Sequence, residues 1–390
     1  VSVRKRTWTT RTGEAREAWI VDYSAGGSRH LKTFTRKKEA DAFADQVGVD
    51  VRAGTHTPVS RSITVAMAAE QWIAAVAAEG REQATLAQYR QHARHVTDRI
   101  GNVRLAKLTA PQVNAFRDDL LATMSRPMAR KVMVSLKALL RDAHRRGSVA
   151  QNVALSARRI DADRRREGRL KVGEDIPSPD EIRAIVAALR GRFRPLLMTA
   201  IFTGLRSSEL RGLRWVDLDL TAGVLHVRQR ADIYQKIGPL KSATSHRTVP
   251  LGPTVRNTLR EWKLKCPPGD LGLVFPTSKG KVTRHTNIVI AFIATVERAG
   301  LLVEVTDATG RTVTAPKYTG LHALRHFFAS WCINPIDRGG LGLPPKVVQE
   351  LLGHSALSMT MDTYGHLFPR SDDADERLAA AERALLLHAT

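Results

Sequence analysis

The sequence predicts an α+β multidomain chain: a small N-terminal β-sheet/helix domain, an α-helical second domain, and a mainly α C-terminal domain with a small β-sheet. Three observations predict it. Its 390 residues are enough for two or three domains with real cores. Strand-like alternation appears near the N-terminus and in short runs after residue 223, while helical apolar stripes fill most of the remainder. Two punctuated stretches divide the chain: residues 54–61, with Pro58 and several Ser and Thr, and the charged run 158–171, followed by Gly173, Pro177 and Pro179. The expected domains are 1–57, 62–160 and 178–390, with 161–177 as a linker.

In the first domain Trp19, Val21 and Tyr23 alternate as on one face of a strand. Gly26-Gly27 signals a hairpin, and Leu31 to Phe34 return. Thr35 is the expected cap of a helix whose apolar face is Ala40, Phe43, Ala44, Val47 and Val51. A three-stranded sheet with one helix is the simplest solution. The second domain reads as four helices. Val65, Ala69, Trp72, Ile73 and Val76 form one stripe, and Leu86, Tyr89, Ala93, Val96 and Ile100 the next. Thr109-Ala110-Pro111-Gln112 is a capping box, and a helix starting at 125–127 carries Val132, Met133, Leu136, Leu139, Leu140 and Ala143. Ser178-Pro179-Asp180-Glu181 opens the third domain as a capping box with Pro at the first helical position. Pro195 to Phe202 reads as a helix buried all round, broken at Gly204. Val224 to Val227 and Arg247 to Leu251 read as strands, Val289 to Val296 as a helix, 306–314 as a short hairpin, and Leu378 to Leu387 as a final amphipathic helix.

The formal net charge is +23. An excess of that size points to a polyanionic partner, with nucleic acid first. Basic residues recur on the expected strands (Arg4, Lys5, Arg6, Arg16, Arg29, Lys32) and on the polar helix faces of the second domain (Arg90, Arg94, Arg130, Lys131, Lys137). No long apolar span or basic amphipathic helix speaks for a membrane. Cys266 and Cys332 are far apart and lack metal-ligand spacing, which suits a reducing cytoplasm and argues against a disulfide framework. No signal-peptide core follows the basic N-terminus, so a cytoplasmic, DNA-associated protein is expected.

Three short stretches carry the chemistry: Thr203-Gly204-Leu205-Arg206-Ser207-Ser208-Glu209-Leu210, Gly320-Leu321-His322-Ala323-Leu324-Arg325-His326, and Leu351-Leu352-Gly353-His354-Ser355 followed by Met361-Asp362-Thr363-Tyr364-Gly365-His366. Transfer of a phosphodiester to a protein nucleophile needs an attacking oxygen, planar cations on the non-bridging oxygens and a proton for the leaving oxygen. Arginine suits the second role, because its guanidinium engages two phosphate oxygens and stays charged. His322 and Arg325, at i and i+3, share a helix face. Glu209, three residues after Arg206, can orient that guanidinium or favour the helix N-terminus.

With these residues the chain resembles the tyrosine recombinases of the phage-integrase type, over nearly its whole length. The Leu-Leu-Gly-His-Ser stretch matches that family almost letter for letter, and the spacing from His354 to Tyr364 is the family's. Ala323 departs from it, since an acidic residue often stands there. The resemblance implies an arm-type DNA-binding domain, a core-binding domain, a linker crossing the DNA, and a catalytic domain. It implies Tyr364 as nucleophile, giving a 3′-phosphotyrosyl link and a free 5′ hydroxyl. Arg206, Arg325 and His354 would hold the phosphate, His322 would assist proton transfer, and Lys241 would protonate the leaving 5′ oxygen, with Lys236 as its competitor. No cofactor and no metal are implied. The implied partners are double-stranded DNA attachment sites and a homotetramer on DNA, with a DNA-bending host factor and a directionality factor possible. The C-terminal helix could dock in cis or in trans. Two other readings share features: a type IB topoisomerase-like enzyme, and a DNA-binding regulator that has lost catalysis.

Overall fold

The computed structural model describes residues 1–25, 27–53, 56, 62–161, 170–306 and 310–368, with Leu378, Ala379, Glu382, Arg383 and Leu386. The chain divides into two compact units, Val1–Glu167 and Gly168–Thr390. Much of the 54–61 stretch and the Arg164-Arg165-Arg166 run lie outside the described residues.

The first unit holds two separate cores. Strands β1 (Ser2–Thr9), β2 (Ala15–Ala25) and β3 (Ser28–Phe34) form an antiparallel sheet in that order, pairing Val3 with Val21 and Trp19 with Phe34. Trp19, Val21 and Tyr23 face helix α1 (Lys37–Arg52), which buries Ala40 and Val47 against them. The cap differs from expectation: Arg36, not Thr35, precedes the first turn, and no side chain caps it. Helices α2 (Val65–Ala78), α3 (Gln83–Ile100), α4 (Ala110–Thr123) and α5 (Arg126–Arg145) enclose the second core. The Thr109–Gln112 capping box forms, and Ser125 is the N-cap of α5. Trp72 stacks obliquely on Tyr89, joining the two apolar stripes read from the sequence.

In the second unit, Ser178 and Glu181 cap α6 (Pro179–Ala188) reciprocally. The Glu181 carboxylate also accepts from Lys317 and the Tyr318 hydroxyl, tying the start of the unit to its middle. Helix α7 (Arg194–Thr203) is buried on almost every side, as its continuous apolar run requires. It ends at Gly204 in the left-handed conformation, φ 60°. Helix α8 (Ser207–Gly212) follows at once. Strands β4 (Leu218–Asp219), β5 (Val224–Val227) and β8 (Arg247–Pro250) make one sheet, and β6 (Gln229–Ala231) and β7 (Ile237–Pro239) a hairpin between β5 and β8. That hairpin was not read from the sequence, because three-residue strands give too little alternation to detect.

Helices α9 (Pro253–Lys263) and α10 (His285–Arg298) cover this core. Ile288, Phe292 and Val296 anchor α10, whereas Ile290 in the same run is exposed. Strands β9 (Leu302–Thr306) and β10 (Thr312–Pro316) form the expected hairpin; Asp307 at its tip lies outside the described residues. Helices α11 (His322–Ile333), α12 (Pro345–Leu352) and α13 (Leu357–Tyr364) follow. Of the expected helix at 378–387, the described positions are helical and exposed, and the rest lie outside the described residues. Among the described residues, no helix is long and apolar enough to cross a membrane.

Candidate active site

The last turn of α12 organises the site. An α-helix leaves its final carbonyls without intrahelical partners, and the negative end of its dipole favours cations there. Gly353 takes the left-handed conformation, φ 64°, and ends the helix. Each of three successive carbonyls then receives a different arginine. Leu351 O accepts from Arg247 Nε at 2.7 Å, Leu352 O from Arg325 Nη2 at 2.7 Å, and Gly353 O from Arg206 Nη2 at 3.0 Å. Arg325 also donates to the carbonyl of Gly204, the glycine that ends α7, at 2.6 Å. Two glycine-terminated helices therefore aim the guanidinium groups, which explains why the arginines lie near the Thr-Gly-Leu-Arg and Leu-Leu-Gly-His stretches.

Glu209 supplies the charge that holds the arginines together. It is 3% exposed. Its carboxylate accepts from Arg206 Nη1 at 2.8 Å, from the Arg206 backbone N–H at 2.9 Å, and from Arg247 Nη1 and Nη2 at 3.2 and 2.7 Å. Burial pushes its pKa up, but the charge and hydrogen bonds of Arg247, then Arg206, more than offset that and hold it below the usual carboxylate range. Of the two readings of Glu209 made from sequence, orientation of Arg206 is realised. The larger role, pairing with Arg247, was missed, because Arg247 is 38 residues away and read only as the start of a strand.

Two guanidinium groups share this one carboxylate and the third, Arg325, is held by backbone carbonyls alone, so the cluster of three carries net positive charge. Arg325 is 5% exposed, and burial, then Arg206, push its pKa down to about 9, still charged at neutral pH. The cluster is built to receive an anion.

His354 leaves α12 directly after Gly353. Its Nδ1 pairs with the Thr360 hydroxyl at 2.9 Å, and Gln349 donates to its carbonyl. Burial, then Arg325, Arg206 and Arg247, lower its pKa to about 4, so the ring is neutral at pH 7. The Tyr364 ring lies parallel to it, centroids 6.4 Å apart. Tyr364 is 2% exposed, and burial pushes its hydroxyl up to about 12 although Arg325 opposes the shift.

A cleft of about 480 Å³ opens beside the cluster, and Arg206, Lys241, His322, His285 and Gly353 line it. Lys241 lies in the connection between β7 and β8, whereas Lys236 sits in the turn of the β6–β7 hairpin and does not line the cleft. His322 is exposed to the cleft, yet the protein around its ring, then Arg325, Arg206 and His285, hold its pKa below the ordinary value. Of the six residues singled out from sequence, Arg206, Lys241 and His322 thus line the cleft. Arg325, His354 and Tyr364 are buried beside it.

Residues 178–370 match the Phage integrase family. The chain belongs to the phage integrase family of tyrosine recombinases. A XerC-like tyrosine recombinase from Caldanaerobacter subterraneus subsp. tengcongensis is 27% identical to this family member over 362 residues, spanning 86% of this chain and 87% of the relative. Among solved structures, the Tn1549 transposon integrase in complex with transposon right end DNA superposes with a TM-score of 0.63 at 20% identity, over 83% of this chain and all of that one. A lambda integrase tetramer bound to a Holliday junction superposes with a TM-score of 0.57 at 18% identity, over 90% and 95% of the two chains. The likeness, in sequence and in fold, therefore extends well beyond residues 178–370.

Proposed function

We propose that the chain is a site-specific tyrosine recombinase that cuts and rejoins duplex DNA through a 3′-phosphotyrosyl intermediate, integrating or excising a mobile element. The gathering of Arg206, Arg247 and Arg325 on the end of α12, with His354 and Tyr364 packed beside them, carries this reading. In this reading Arg206, Arg325 and His354 hold the non-bridging oxygens of the scissile phosphate, and preorganised donors there stabilise the charge that develops as phosphorus becomes five-coordinate. The Tyr364 oxygen attacks phosphorus. Lys241, exposed on the cleft, gives its proton to the departing 5′ oxygen, and His322 assists proton transfer. The bond energy is retained in the phosphotyrosine, so the 5′ hydroxyl of a partner strand can reverse the step without a nucleotide cofactor.

The three domains are assigned as an arm-type DNA-binding domain at 1–57, a core-binding domain at 62–160 and a catalytic domain at 178–390, joined by 161–177. The tetrameric likeness, on a Holliday junction, supports assembly of four copies on paired attachment sites; host bending and directionality factors would act on that complex.

Covalent trapping tests the reading. The full chain is incubated with a labelled duplex, selected from a random pool by binding and nicked near the cleavage point, then run on a denaturing gel beside Tyr364→Phe. A covalent band lost in the variant is the expected result. A band that persists moves the nucleophile elsewhere, and no band in either, with DNA bound, favours a regulator.

A further inference from the structure

The Tyr364 hydroxyl has one close polar neighbour that the reaction as described does not use. His326 Nδ1 lies 2.7 Å from it in a hydrogen bond. His326 follows Arg325 on α11, and stands one turn beyond His322, so that its ring lies between His322 (centroids 5.9 Å apart) and Tyr364 (5.8 Å). The ring is half-buried, and α11 is fixed by its buried face, which includes Leu324, Phe327 and Phe328. As the sequence neighbour of Arg325, His326 lies on a different face of α11. The i, i+4 spacing from His322 was the signal available.

We propose that His326 is a further catalytic residue: the base that takes the proton from Tyr364 as its oxygen attacks the DNA phosphate. The inference rests on Tyr364 being the nucleophile. The step balances. The Tyr364 O–H bond breaks and its proton passes to His326 Nδ1; the oxygen–phosphorus bond forms; the bond from phosphorus to the 5′ oxygen breaks, and that oxygen takes a proton from the leaving-group side. On rejoining, His326 returns its proton to Tyr364.

Geometry and charge agree with the role. Within the site a base must touch the proton it removes, and among the described residues His326 is the imidazole bonded to the hydroxyl. His354 lies parallel to the Tyr364 ring, but its Nδ1 is spent on Thr360. His322 faces the cleft. Burial, then His322 and Arg325, push His326 down to about 4, with Asp175 opposing, so in the free chain it is a neutral acceptor. A phosphate anion entering beside Arg325 and His322 offsets the positive charge that depresses it, and so strengthens the base when substrate is present.

The test uses the full chain and the selected nicked duplex, with either the ordinary 5′ oxygen or a 5′-bridging sulfur at the scissile phosphate. A sulfur leaving group departs without a proton, so it relieves defects on the leaving side only. His326→Asn keeps a polar atom near the Nδ1 position but accepts no proton; His326→Ala removes both. General-base removal costs about 100-fold or more in rate. The expected result is that both variants bind DNA as the parent does, cleave at least about 100-fold more slowly, and are not restored by sulfur, whereas Lys241→Ala is. Should His326→Ala fold poorly, His326→Asn decides alone. Cleavage within about threefold of the parent, faster cleavage, or restoration by sulfur would overturn the assignment. Persistence of the covalent band in Tyr364→Phe would instead sink the reading beneath it.

Discussion

Replacing Glu209 with alanine should destabilise the C-terminal unit more than almost any other single change at the site. The carboxylate makes three bonds to two guanidinium groups and one to a backbone N–H, and both it and the Arg247 side chain, 4% exposed, are shielded from water. Removing one member of such a pair leaves the other buried without compensation, which costs about 3–5 kcal/mol. Arg247 retains the carbonyls of Leu351 and Ser245, which places the loss within that range and not above it. For a unit of this size each kcal/mol lowers the melting temperature by about 2–4 °C, so the transition should fall by about 6–20 °C. Scanning calorimetry of the full chain, following the transition of the second unit, reads this directly.

The pH dependence has a definite sign. Glu209 titrates lower in the folded chain than its usual 4.5, so its contribution is fully present above that pH and is lost as pH falls through the folded value. The gap between parent and Glu209→Ala should therefore be largest near neutrality and narrow in acid. A loss below about 1 kcal/mol, or a gap that does not change with pH, would refute the idea that this carboxylate holds the arginines.

Four further outcomes follow from the same geometry. In Gly204→Ala the new Cβ would lie 2.4 Å from Phe328 Cδ1 at a left-handed φ; overpacking and backbone strain together should cost about 2–4 kcal/mol by urea denaturation, with a loss of cleavage as Arg325 loses its carbonyl anchor. Lys241→Ala should slow single-turnover cleavage by about 100-fold or more, while Lys236→Ala, away from the cleft, should leave it near the parent rate. His354 and His326 are both neutral in the folded chain and both titrate at about 4, below the unfolded value of about 6.5. The unfolded chain thus binds more protons between those values, so melting temperatures should drop as pH falls from about 6.5 to about 4, and the drop should be smaller in His354→Gln. Tyr364→Phe should keep DNA affinity within about twofold while abolishing the covalent adduct, measured by filter binding and denaturing gel.

The sequence alone determined the elements whose signals are local. Capping at Ser178 and Thr109 is set by side chains three residues from the groups they satisfy, and the stripes of α2, α3 and α5 follow from period 3.6. The sheet order at the N-terminus follows from two hairpins. Motif spelling alone made Arg206, Lys241, His322, Arg325, His354 and Tyr364 the candidates for the site. Tertiary structure decided what these residues touch. The pairing of Glu209 with Arg247 spans 38 residues, and the bond between His326 and Tyr364 spans the same separation. Arg206 reaches Gly353 across 147 residues. Such contacts carry no periodicity, because they depend on where two helices end in space and on which carbonyls those ends leave free. A helix terminus can be read from a glycine in the sequence, but the cations that gather on it can be found only once the chain has folded around it.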